Sequence, residues 1–346
     1  MKARRYDYRM GFWNEVILGI DYNGVKNSIA NISRWRLEKK YKAQDVSIPN
    51  KPITFILSPE IPKKWRPYIK AGIEEWLPAF ESAGFRDALV VKEVDTLSDW
   101  QKHSINTSVI YWGKKKYLRG YENEILGAAP SKIIDERTGE ILQGNIHLNS
   151  SPQSYAESYF IRAAPLDKRA KKFPLPDEII GKMLQSTTAH EAGHVFGLMD
   201  GNYGEYSYPF EKMNDIEWLE NMGFTPSVMN YTRPNNIVQP EDNIPAVLLI
   251  QKVGPTDRYS ILWAYTEFPP GTSEEEEAAS LERIVRSQDS VPWYRYNNGH
   301  YEVIGPAITN EVVETNDPVR STTMAVKNIK RVIELLPEAC SNDKDN

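Results

Sequence analysis

The chain has 346 residues, 40% of them apolar and 26% charged, with a formal net charge of -5. That length can bury one large core or two smaller ones. No run approaches the ~20 apolar residues of a membrane-spanning helix, so no membrane span is expected. The acidic balance, without a Lys/Arg stripe interleaved with aromatics, excludes nucleic acid as an expected partner. Cys340 is the single cysteine, which rules out an intrachain disulfide and any metal site built on two thiolates of this chain.

The opening MKARRYDYRMGFWNEV is basic but lacks the apolar stretch of roughly 7–15 residues behind a secretory signal. The expectation is an intracellular protein, or a mature or excised part of a longer one. Residues 1–50 mix aromatic and charged side chains and read as an extension, with a helical stretch near NISRWRLEKKY. PITFILSP (52–59) alternates up to a proline and predicts a strand. Residues 64–84 place Ile69, Ile73, Trp76 and Phe80 at helical spacing and predict one amphipathic helix capped by Gly84. ALVVKEV (88–94), SVIYWG (108–113) and a pair around GEILQGNIHLNS (139–150) read as strands. PDEIIGKMLQSTTAHEAGHVFGL (176–198) opens on proline and acids and predicts the second major helix. Strand, helix, several strands, helix is an α+β order. After Asp200 the chain is irregular for about 50 residues, a length that usually carries function. Helical patterns return at DRYSILWAYTEF, behind the acidic N-cap run Ser273–Glu277, and at 319–336.

HEAGHVFGLMD occupies residues 190–200. Residues four apart share a helix face, so His190 and His194 can direct their imidazoles at one Zn2+ ion. Glu191 projects to the flank of that face, where its carboxylate can take a proton from water activated by the ion. HExxH by itself also describes two surface histidines on an ordinary helix. Gly197 stands where the helix must stop and turn, in a left-handed conformation that glycine adopts at little cost. Asp200, three residues further, is placed to supply the third protein ligand that a catalytic zinc needs. Glu205 is the local competitor, and Asp200-Gly201-Asn202 is also an ordinary turn sequence.

The string H-E-x-x-H-x-x-G-x-x-D resembles the extended motif of the metzincin zinc peptidases, whose commonest third ligand is histidine and which carry a Met-turn downstream. PSVMNY (226–231) fits that second signature, with Met229 as the turn methionine beneath the metal. Tyr231 follows at the spacing by which astacin-like and serralysin-like metzincins bring a tyrosine hydroxyl near zinc. The resemblance implies a movable fifth ligand or an oxyanion donor there, against a simply packed tyrosine. ISRWRLEKK, KPITFILSPEIPKKWRPYIKAGIEEWLPAFESAGF, DERTGEIL, PLPDEIIGKMLQSTTAHEAGHVFGL, FTPSVMNYTRPNNIVQPED and VGPTDRYSILWAY resemble the catalytic region of large secreted bacterial zinc metalloproteases, over roughly residues 32–265. Those relatives read Leu-Arg-His where this chain reads Leu198-Met199-Asp200; snapalysin-like metzincins also end in Asp. A carboxylate in place of an imidazole lowers the net charge of the site from about +2 to about +1, so an active site with an alkaline-shifted pH profile is expected.

The resemblance implies an α+β, metzincin-like fold: a mixed, mostly parallel sheet of five strands, two major helices, a zinc cleft between upper and lower subdomains, and extra C-terminal helices. Residues 1–50 are then an N-terminal extension packed on the catalytic domain, 51–200 the upper subdomain with the zinc helix, 201–270 the lower subdomain with the Met-turn, and 271–346 a C-terminal helical region. The edge strand that would pair with an extended peptide is expected at Gly144, Asn145, Ile146, His147 and Leu148, the last strand-like run before the zinc helix. His147, His103 and His300 read as ordinary side chains. The expected function is that of a zinc-dependent metalloendopeptidase with one catalytic Zn2+ and a peptide or protein substrate. The alternatives are a catalytically impaired metzincin-fold binding module and a zinc hydrolase of a non-peptide amide. Secretion or a cell-envelope location is implied by the resemblance alone; structural Ca2+ and oligomeric state are not addressed by the sequence.

Overall fold

The computed structural model describes residues 1–20, 26–113, 128–149, 151–201, 204–230, 234–296 and 313–341. Its strands are β1 (Asn14–Ile20), β2 (Lys26–Ile32), β3 (Arg34–Trp35), β4 (Ile53–Leu57), β5 (Leu89–Glu93), β6 (Ser108–Trp112), β7 (Ala128–Asp135) and β8 (Glu140–Leu148). Its α-helices are α1 (Arg66–Glu74), α2 (Leu77–Ser82), α3 (Asp99–His103), α4 (Pro152–Ala163), α5 (Asp177–Val195), α6 (Ile216–Met222), α7 (Pro255–Tyr265), α8 (Glu274–Val285) and α9 (Pro318–Ala339).

β1 and β2 form an antiparallel hairpin. The main sheet has six strands in the order β3-β8-β6-β4-β5, with β7 added on β8. All its pairings are parallel except β7 with β8. The expected five strands thus gain a sixth, β3, which occupies part of the stretch where NISRWRLEKKY predicts a helix. Long-range pairing wins there: Arg34 N donates to Gly139 O (2.9 Å), and the Trp35 indole N–H donates to Val195 O (2.9 Å). A local helical pattern is a weak prior against such partners.

The helix expected over 64–84 divides in two. α1 stops at Glu74 and α2 restarts at Leu77 with a proline, Pro78, in its first turn. A proline lacks the N–H that would continue the helix and its ring collides with the preceding turn. Ile69, Ile73, Trp76 and Phe80 are nevertheless all buried, and Gly84 takes φ +92° beyond the end of α2.

The assignment of Gly144, Asn145, Ile146, His147 and Leu148 to the sheet edge needs correction. Ile146, His147 and Leu148 pair with Ile110, Tyr111 and Trp112 of β6 on one side, while Leu148 back to Gly144 pairs with Ala128 to Lys132 of β7 on the other. These residues are interior. The edge is β7, which among the described residues pairs with β8 alone. The chain turns at 136–139, so the strand just before β8 in sequence swings outside it; AAPSKIID, interrupted by Pro130, lacks the alternation that would announce a strand. His147 stacks on Tyr111 (4.9 Å, 12°) and meets Ser131 Oγ at 3.2 Å.

α5 packs against α1 and under β7 and β8. The N-terminal residues are tied to the opposite end of the chain: buried Arg4 donates to Trp263 O (2.5 Å) and Thr266 O (2.9 Å) and pairs with Glu277 (3.2 Å).

Candidate metal centre

α5 runs for 19 residues, with Asp177 and Glu178 in a first turn where negative charge suits the helix dipole. Ile180, Leu184 and Thr188 repeat at intervals of four and are buried, which seats the helix and leaves the next turns to carry His190 and His194. The two imidazoles stand 4.8 Å apart and nearly perpendicular (88°). Each Nδ1 is taken by a backbone carbonyl: His190 by Val228 O (2.8 Å), His194 by Leu198 O (2.9 Å). Those contacts assign the proton to Nδ1 and direct both Nε2 atoms inward, the tautomer of a metal-ligating histidine.

Inward lies Asp200. Its Oδ1 is 3.3 Å from His190 Nε2 and 3.2 Å from His194 Nε2. The three groups offer ligand atoms all within 4.8 Å of one another. The approach is close enough for ion pairing, yet this buried Oδ1 has no partner in hydrogen-bond geometry. Three ligand atoms gathered at these separations fit a tetrahedral ion, whose ligands at ~2.1 Å stand about 3.4 Å apart.

Burial alone would lower the pKa of His190, but the Asp200 carboxylate beside it, together with the charge of Glu191, raises it to about 9. Burial would raise the Asp200 carboxyl; the two imidazoles outweigh it and hold that carboxyl well below the usual range. Glu191 is buried, its carboxyl is pushed up by that burial, and its Oε2 has no hydrogen-bond partner. Glu205, the competing carboxylate in sequence, is buried in the 3-10 turn Gly204–Ser207 and is not part of the three-residue group.

The loop carrying Asp200 is stitched on both sides. Gly197 takes φ +105°, and a Cβ there would lie 2.0 Å from Ser33 O, so only glycine fits the turn. Trp13 N donates to Gly197 O (2.8 Å) and Met199 N to Gly11 O (2.8 Å), making the N-terminal arm a short strand against Leu198. On the far side Gly201 N donates to Met229 O (2.9 Å). Met229 itself is buried beneath α5: a Cβ on Gly193 would meet its sulfur at 2.1 Å and Trp76 at 2.8 Å. Tyr231 lies outside the described residues, as does His300.

Five contributing residues escape a reading of the sequence. Gly193 sits inside the motif as an unremarked small residue, and its constraint comes from Met229. Buried Asp257 accepts from Ser227 Oγ (2.5 Å), Val228 N (2.8 Å) and Gly254 N (2.7 Å), holding the loop whose Val228 carbonyl orients His190. Lys132 of β7 donates to His194 O (3.0 Å), where a cation suits the end of a helix, and burial brings its pKa down to about 8. Gly11 and Trp13 act through backbone atoms nearly two hundred positions from the motif, where no local signal exists.

A family model described as Met-zincin matches residues 172–346, just over half of the chain, and spans the two histidines, Asp200 and the Met-turn. The chain belongs to the Met-zincin family. A zinc cofactor and a zinc metallopeptidase type of function follow at the level of the family, and this Met-zincin has the mostly parallel mixed sheet and several helices of a metzincin-like fold. Among curated proteins, none matches the chain. A solved structure, the GM1-bound form of the ECX AB5 holotoxin, is similar at 15% identity over 86% of this Met-zincin and 94% of that chain; its TM-score of 0.29 carries no argument.

Proposed function

We propose that the chain is a zinc-dependent metalloendopeptidase in which His190, His194 and Asp200 hold the ion and Glu191 is the general base. The observation that carries this reading is the convergence of two Nε2 atoms, their Nδ1 positions occupied by carbonyls, on one carboxylate oxygen. A zinc ion, when bound, supplies positive charge that acidifies water and polarises a carbonyl. Glu191 accepts the proton at a buried carboxylate whose raised pKa lies nearer neutrality than that of an exposed one. Met229 and Gly193 set the floor under the histidines. β7, the sheet edge among the described residues, offers main-chain groups to an extended peptide in place of Gly144–Leu148, and Tyr231 is the candidate oxyanion donor by resemblance.

Elemental analysis followed by digestion of casein and a peptide library tests the reading. One zinc per chain with peptide cleavage is the expected result. Zinc without cleavage would favour the impaired binding module, and cleavage confined to non-peptide amides would favour the other hydrolase. A chain that takes up no zinc would end the proposal.

The raised His190 pKa also sets a pH dependence. In the metal-free chain this imidazole is protonated until about pH 9, and it must lose that proton to become a ligand. Zinc affinity should therefore rise with pH between 6.5 and about 9, by roughly tenfold per unit for one proton. Stability of the metal-free chain should run the other way: a pKa raised above its unfolded value stabilises below 6.5 and that contribution is lost as pH rises through about 9. Chelator competition and thermal unfolding in EDTA across that window measure the two. Affinity that stays flat would take His190 out of the ligand set.

A further inference from the structure

Glu205 and Glu314 are 1% and 3% exposed, and neither belongs to the group formed by His190, His194 and Asp200. Glu205 sits in the 3-10 turn Gly204–Ser207, a few residues past Asp200, and Glu314 lies in the irregular approach to α9. Two hydrogen bonds lay these segments side by side: Asn316 N donates to Tyr208 O (2.9 Å) and Phe210 N to Asn316 Oδ1 (2.9 Å). A third, from Val313 N to Asn236 Oδ1 (3.3 Å), joins the same approach to the loop after the Met-turn. The carboxyls act on each other across this packing. Burial, and then the charge of Glu314, push the Glu205 carboxyl well above the usual range; burial raises Glu314 as well. The Tyr206 phenol is raised by burial and by both charges.

Burial of two acids demands partners, and these lack them. Glu205 Oε2 and Glu314 Oε1 have no hydrogen-bond partner, and among the described residues no Lys, Arg or His pairs with either. An unpaired buried carboxylate is strongly unfavourable, and a like charge nearby makes it worse. Protonation does not resolve this, because a neutral carboxyl adds a hydroxyl donor where neither oxygen meets an acceptor. A hard cation does: it takes oxygen ligands and offsets both charges.

We propose that Glu205 and Glu314 are the charged ligands of a second, structural cation site that takes Ca2+. A pair of carboxylates without imidazole or thiolate matches calcium or magnesium better than zinc. Magnesium sheds its waters reluctantly, and so buried a pair leaves little room to keep them. Residues 313–315 lie outside helix and sheet, so their carbonyls are not spent on a ladder and suit an ion that takes backbone oxygens. The ion ties the segment after Asp200 to the approach to α9.

Calorimetric titration of the full chain, stripped of metal and desalted, tests this with Ca2+ alone. One Ca2+ per chain is expected, and the thermal unfolding midpoint should rise by roughly 5 °C at a Ca2+ concentration about a hundredfold above its Kd. Mg2+ at the same concentration should give a smaller shift. Glu205→Gln and Glu314→Gln should each weaken Ca2+ binding by about tenfold or more, since ligand charge sets affinity, while taking up zinc as the wild-type chain does. A wild-type chain that binds no Ca2+ would overturn the proposal whether or not the variants fold. So would Ca2+ binding retained by both variants, which would put the ion elsewhere. Glutamine variants more stable than a wild type indifferent to Ca2+ would show instead that the two carboxyls are held neutral, and an equal shift with Mg2+ would overturn the choice of calcium.

Discussion

Glu191→Gln should keep one zinc per chain while lowering kcat/KM on a cleaved peptide by about 10²–10⁴-fold, the range for removing a general base. Glutamine matches glutamate in shape, so the burial of position 191 is preserved and the metal group, which does not include it, is left intact. What disappears is the ability of Oε2 to accept a proton. The loss should fall on kcat, because the proposed main-chain pairing of a peptide on β7 does not depend on this side chain. Zinc content by elemental analysis, beside steady-state kinetics, separates the chemical effect from a metal effect. A fully active variant would mean that proton transfer runs through another group.

Asp200 gives the second large effect, in two directions. Asp200→Ala removes one of the three proposed ligand atoms and should weaken zinc binding by more than the ~10–100-fold typical of outer-shell changes. It also strips the His190 imidazolium of the carboxylate that raises its pKa to about 9, so the metal-free variant should unfold at lower temperature near neutral pH. Asp200→His should instead keep zinc and return about one unit of positive charge to the site, moving the acid limb of the pH–rate profile to lower pH. Chelator competition and pH–rate curves distinguish the variants. Wild-type affinity in Asp200→Ala would show that the third ligand comes from elsewhere.

Much of this site is legible because its residues act locally. His190, Glu191 and His194 need only a helix, and Gly197 only a turn, so spacing suffices to place them. Met229 is legible through resemblance rather than periodicity, since a loop methionine alone says nothing about what lies above it. The errors arise where partners are distant. Arg34 and Trp35 become strand because β8, a hundred residues on, offers pairing, and Gly144–Leu148 become interior because β7 folds outside them. Pro78 did carry a local warning: a proline within the 64–84 pattern marks a break. Asp257 is hidden for another reason, since an acidic residue in the first turn of α7 looks like dipole compensation until its three bonds to the Met-turn region are seen.

The strip made by the N-terminal arm, the Gly197–Gly201 loop and Met229 has a mechanical consequence. All three groups that would hold the ion lie within residues 172–346, yet the arm that borders the loop belongs to residues 11–13. Peeling back those few residues would free Met199 N and Gly197 O together, on either side of Leu198, in the stretch that leads into Asp200. The segment matched by sequence kinship is therefore narrower than the set of residues that frames the candidate site: the arm at residues 11–13 is a clasp on the loop that presents a carboxylate nearly two hundred residues away.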